Sequence, residues 1–169
     1  MKILKLTLIL LSLSLMVISC SKDEVNSNNP NQPMNPDDPN PITGTVWTGS
    51  PLTFEKADGA DPNDEANQDR ITDNVWITRG NNGGQIFNIK VESSSDKSDS
   101  PTDTEWALGK TDNIASLTFD KFRTTIKPKE IKGKDLVLHL ISDDIYIDIK
   151  FDEWAEGKDG GFKYTRSTQ

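Results

Sequence analysis

The stretch Leu136-Val137-Leu138-His139-Leu140-Ile141-Ser142-Asp143-Asp144-Ile145-Tyr146-Ile147-Asp148-Ile149-Lys150-Phe151 decides the fold class of this chain. In its second half Ile145, Ile147, Ile149 and Phe151 share one face of an extended backbone, and Tyr146, Asp148 and Lys150 share the other. Side chains alternate across a strand, so strict period two marks a strand buried on one side. The first half, Leu136 to Ile141, is apolar on both faces, as a central strand would be. Between them Ser142-Asp143-Asp144 supplies short polar side chains that bond nearby backbone and suit a reversal. The two halves predict a hairpin. Trp154 breaks the parity set by Ile145 to Phe151, which places it past a bulge or at a turn.

A second hairpin lies upstream. Val75 to Arg79 and Gln85 to Val91 flank Gly80-Asn81-Asn82-Gly83-Gly84, residues that tolerate the positive φ a tight reversal needs. Shorter strand candidates are Thr45 to Thr48, Leu52 to Lys56, Thr104 to Leu108, Ser116 to Phe119 and Phe162 to Arg166, while Ser93 to Asp103 reads as a polar loop. Beyond the first twenty residues no segment of ten or more holds an apolar 3.6 period. Short strands separated by polar turns predict an all-β domain, a β-sandwich with a jelly roll as one version.

The N-terminal third is organised differently. Lys2 and Lys5 precede an apolar run, Leu6 to Ile18, and small Ser19 precedes Cys20. That is the pattern of a secretory leader, residues 1–19, and the run is shorter than the roughly 20 residues a spanning helix needs. Val25 to Pro41 alternates asparagine with proline and has almost nothing to bury, so residues 20–41 read as a disordered tether with the extended stiffness that proline confers. Residues 42–169 then suit one domain.

Val17-Ile18-Ser19-Cys20 resembles the lipobox of bacterial lipoproteins. The resemblance implies cleavage before Cys20, diacylglycerol on its sulfur and an acylated amino group, which together anchor a chain stably where one acyl chain would not. Cys20 is the sole cysteine, so no intramolecular disulfide competes for it. Lys22-Asp23-Glu24, just after it, resembles the export signal of surface-displayed lipoproteins of the Bacteroidetes group, implying an outer-membrane anchor with the domain facing outward. The stretches Glu65 to Gly80, Leu138 to Trp154 and Gly160 to Thr168 are also similar to a module of secreted and surface bacterial proteins, which implies location rather than chemistry.

Charge narrows the partners. The formal net charge of −8 becomes −10 once a leader carrying Lys2 and Lys5 is removed. A chain so acidic, without a basic stripe, is not expected to bind nucleic acid. His139, the single histidine, lies in an apolar strand and reads as packed and hydrogen-bonded; no Gly-x-Ser-x-Gly elbow accompanies it, and one histidine with no free thiolate cannot close a zinc site without several carboxylates. The acid-rich run from Glu55 to Asp73 makes calcium the candidate cofactor, with Asp58, Asp61, Asp64 and Asp69 as candidate ligands, although the spacing is not that of an EF-hand. A glycosidase would need two of these acids paired across a cleft and is a minor alternative. Trp47, Trp76, Trp106 and Trp154 are either core or sugar-stacking platforms, with core packing favoured for each.

The expectation is therefore a non-enzymatic binding or adhesion module held to a membrane through Cys20, with a glycan or envelope protein as partner. The alternative is an architectural accessory lipoprotein with no small ligand of its own. Replacing Cys20 by alanine should abolish incorporation of labelled palmitate and move the protein out of the membrane fraction; unchanged labelling would refute the anchor.

Overall fold

The computed structural model describes residues 43–169; the leader, Cys20, Lys22, Asp23, Glu24 and the tether lie outside the described residues. The domain is built on two unequal antiparallel layers. The larger comprises β1 (Thr45–Trp47), β2 (Gly49–Lys56), β6 (Thr104–Leu108), β7 (Asp135–Leu140), β8 (Ile145–Trp154) and β9 (Phe162–Thr168). Its order is β2-β9-β8-β7-β6, and β1 pairs in parallel with the start of β8 on the edge that β9 uses further along. The smaller sheet is β3 (Asp69–Arg70), β4 (Trp76–Arg79) and β5 (Ile86–Asn88). One short helix, α1 (Phe122–Thr125), follows β6.

Both expected hairpins form. Leu136 pairs with Ile149 and Leu140 with Ile145 across β7 and β8, and Ile77 pairs with Asn88 across β4 and β5. Asp144 completes the β7–β8 turn at φ +50°, a left-handed conformation that aspartate tolerates better than most residues. β8 carries a bulge between Phe151 and Glu153, which returns Trp154 to the inner face beside Phe162. A sandwich-like all-β fold results. Strands β6 to β9 follow one another as a meander, so the connectivity is not the pair of Greek keys that defines a jelly roll.

The core lies between the layers. Ile71, Val75, Ile77 and Ile86 from the small-sheet side meet Leu136, Leu138, Leu140, Ile147, Ile149, Phe151, Phe162 and Tyr164 from the large one. Trp106 stacks edge-on against Phe122 at 4.9 Å between ring centroids, closing one side. The segment Ser116 to Phe119 is not a strand: it runs with the turns before it over the outer face of the large sheet. There Phe119 packs edge-on against Tyr146 and His139, and Thr111 bonds both oxygens of Asp148 through its amide and hydroxyl. The supposedly solvated face of β8 is thereby half covered, and Tyr146 is buried.

One polar clasp crosses the core. Asp69 of β3 accepts from Arg166 Nε at 2.7 Å and Nη2 at 2.9 Å, and from the Tyr164 hydroxyl at 2.6 Å. Burial alone would lower the pKa of Arg166, but the bonds and charge of Asp69 raise it above the usual guanidinium value. Burial together with the neighbouring carboxylate pushes the Tyr164 phenol well above its ordinary value, so it stays a donor. Removing one partner of a buried pair strands the other charge, which costs about 3–5 kcal/mol. Asp69→Ala should lose about that much stability in urea unfolding; a loss below about 1 kcal/mol would show that the clasp does not hold the layers.

Candidate functional site

The candidate calcium ligands do not converge. Asp61 closes a local turn by accepting from the Asn63 amide at 2.9 Å and its side chain at 2.8 Å, bonds that hold its carboxyl below the usual range. Asp69 has its carboxylate committed to Arg166 and Tyr164. Asp58 lies against Gly161 and, with Asp61, supplies negative potential to Lys56. Among the described residues, no three His, Cys, Asp or Glu side chains gather as a metal would require. Within this run Glu55, Glu65 and Asp69 pair with Lys163, Arg70 and Arg166 of the protein itself.

His139 is packed, as its strand position predicts. Its ring stacks on Tyr146 at 4.1 Å with 3° between planes, Nδ1 meets Glu105 Oε1 at 2.8 Å, and Nε2 meets Asp144 Oδ1 at 3.2 Å. Both nitrogens are directed at carboxylates of the protein, so the ring is held in place from either side. The four tryptophans divide evenly. Trp106 and Trp154 belong to the core, while Trp47 and Trp76 are half-buried, and Trp76 lies between the Arg70 guanidinium at 4.1 Å and the Lys90 ammonium at 4.4 Å.

Three clefts differ in what their charges already bond. On the outer face, a cleft of about 630 Å³ beside Trp47 contains Asp135, Lys150, Lys110 and Asp148. Lys150 is paired with Asp135 at 2.7 Å and Asp148 is satisfied by Thr111. A second, of about 530 Å³, is lined by Glu55, Asp58, Asp152 and Glu153 with Lys56 and Lys132. There Glu55 is paired with Lys163 at 3.0 Å and Asp152 accepts from Thr165 at 3.0 Å.

The third differs. A cleft of about 380 Å³ opens where the β4–β5 turn, the loop after β5, α1 and the end of β8 meet. Five cationic side chains line it, Arg79, Lys97, Arg123, Lys127 and Lys129, against two acids, Glu130 and Glu156. Only Lys127 has an ion pair within the set, 3.6 Å from Glu130, and both groups are exposed. Ala155, Pro128 and the edge of Trp154 provide apolar wall. Its volume falls within the range of ligand pockets, roughly 300–1,000 Å³.

Arg79 forms the floor. It shares the inward face of β4 with Ile77, and its guanidinium stacks 4.0 Å from the Trp154 ring. Close by, Lys56 at the end of β2 donates to Asn81 Oδ1 at 2.8 Å and to the Gly160 carbonyl at 3.3 Å. Gly160 sits at φ +73°, and a Cβ there would fall 2.4 Å from Asn81 Oδ1, so only glycine lets the β8–β9 turn approach. Burial pulls Lys56 below the ordinary lysine pKa, and the charge of Arg79 pulls the same way. Sequence reading placed Arg79 at a strand end and Lys56 in a strand without assigning either a role; their shared inward parity was the available signal.

Since Asp61 and Asp69 are bonded within the protein and the candidate carboxylates form no cluster, the melting temperature should be the same in millimolar calcium and in EDTA. A calcium-dependent rise of several degrees would show a site that these contacts do not reveal. No protein-family model, curated protein or solved structure matches this chain.

Proposed function

We propose that this chain is a lipid-anchored lipoprotein of the outer membrane, displayed at the cell surface, whose domain is a non-enzymatic module binding an acidic glycan at the Arg79 cleft. The observation that carries this reading is the charge of the cleft. A domain with an excess of acids concentrates five cations around one concavity and leaves most of them without a carboxylate partner. Like charges brought together cost folding energy, and a concave low-dielectric wall focuses their field on an incoming anion. The acidic remainder of the surface repels the same anion, so capture is confined to one place.

The cleft fits a sugar better than a folded partner. A stable protein interface covers about 800 Å² on each side, whereas this is a pocket-sized hollow with an aromatic edge and a hydrogen-bonding rim. Anchoring through Cys20 and outward display through Lys22, Asp23 and Glu24 are supported by their resemblance to lipoprotein signals, and the proline-rich tether would hold the cleft clear of the bilayer. Among the described residues no helix is long and apolar enough to cross a membrane.

The mature chain should retain acidic polysaccharides over neutral ones of equal length. Retention should fall as salt rises from 50 to 500 mM, because exposed charges are screened. Lys97→Glu with Lys129→Glu should weaken binding by about tenfold. Equal retention of neutral and acidic polymers, or capture of one stoichiometric envelope protein with no glycan retained, would overturn this reading.

A further inference from the structure

Two arginines are buried among the described residues, and they are treated differently. Arg166 is neutralised by Asp69 through two bonds. Arg79, at 2% exposure, has no carboxylate within ion-pair distance among the described residues. Its bonds go to neutral carbonyls: Nε donates to Gly84 at 3.2 Å, and Nη1 donates to Ala155 at 3.0 Å and to Gly161 at 2.9 Å.

Three of the five guanidinium N–H groups are thereby used, and Nη2 carries the other two. Nη2 has no acceptor among the described residues, and the Arg79 side chain lines the cleft. An unpaired charge taken out of water is expensive. Here it is also immobilised, by the three carbonyls that Nε and Nη1 bond and by the Trp154 ring against its plane. Lys56, likewise bonded only to neutral oxygens, adds a second positive charge, on which Asp58 and Asp61 act only from a distance. Burial lowers the pKa of Arg79 and Asp58 opposes that only from a distance.

We propose that Arg79 Nη2 is the receptor for a single oxyanion, a carboxylate or sulfate carried on one sugar ring, with the ring resting in the hollow and the rim cations on its outer side. The inference rests on the acidic-glycan reading and adds the group recognised and the atom that receives it. A guanidinium held in place before the ligand arrives gives up little freedom on binding, and a charge-assisted bond in a desolvated site is among the stronger polar contacts.

The test uses the mature chain in detergent with glucuronate, glucose 6-sulfate and glucose as probes at constant ionic strength. Both acidic sugars should bind by calorimetry and shift the Arg79 side-chain Nε–H resonance, and glucose should do neither. Arg79→Lys should reduce binding by about ten- to a hundredfold. Because Arg79 also ties three carbonyls, that variant is paired with Arg123→Ala, whose side chain is exposed and unpaired among the described residues, and which should weaken the acidic sugars several-fold with unchanged melting. Glucose binding as well as glucuronate would overturn the proposal. So would acidic polymers binding while neither monosaccharide moves the Arg79 resonance, an outcome that leaves the glycan reading standing. If neither polymer nor monosaccharide binds, both fall.

Discussion

Asp69 extends one carboxylate from the small sheet to two side chains of β9, and the packing of the layers follows from where that bond can form. A guanidinium inside an apolar core is tolerable only beside a counter-ion with its lone pairs filled. Both conditions hold, because Tyr164 and Arg166 lie on the same face of β9 and approach Asp69 together. A slip of one residue in β9 would turn both outward. The apolar contacts of Ile77 with the large sheet are non-directional and would permit several offsets; the clasp selects one.

Two residues further along β4, beyond Ile77, the solution is different. Lys56 and Arg79 point inward from β2 and β4, and they meet carbonyls of the turns around Gly84, Ala155, Gly160 and Gly161 instead of acids. Carbonyl dipoles satisfy hydrogen bonds without cancelling charge. They therefore fasten the β4–β5 and β8–β9 turns together and leave a net positive potential in the hollow between them. The stiffness of that region and its unspent charge have one origin, which is why stability and binding are tied together at Arg79.

Much of the fold was legible because alternation survives any tertiary context. Ile145 to Phe151, Val75 to Arg79 and the parity break at Trp154 each report backbone geometry directly, and the bulge between Phe151 and Glu153 accounts for the last of them. Ser116 to Phe119 misled because β-prone residues also serve as cover: Phe119 packs on Tyr146 and His139 without joining the sheet. The site was less legible. An acid in an acidic run looks like its neighbours, and Asp69 is distinguished only by partners 95 and 97 positions away. The composition signal also pointed the wrong way, since an acidic total concealed a basic cleft assembled from α1, two loops and a strand end.

That concealment has a physical consequence. Seven charged groups around one hollow contribute little to the net charge, yet their field is local and the screening length at physiological salt is about 8 Å. An anion farther away senses mainly the acidic surface, and only within that distance does the cleft dominate. Such an arrangement disfavours loose adsorption of polyanions along the whole domain and rewards a ligand that presents one charged group to one place. It is the distribution of charge, rather than its sum, that makes Arg79 the centre of the functional reading.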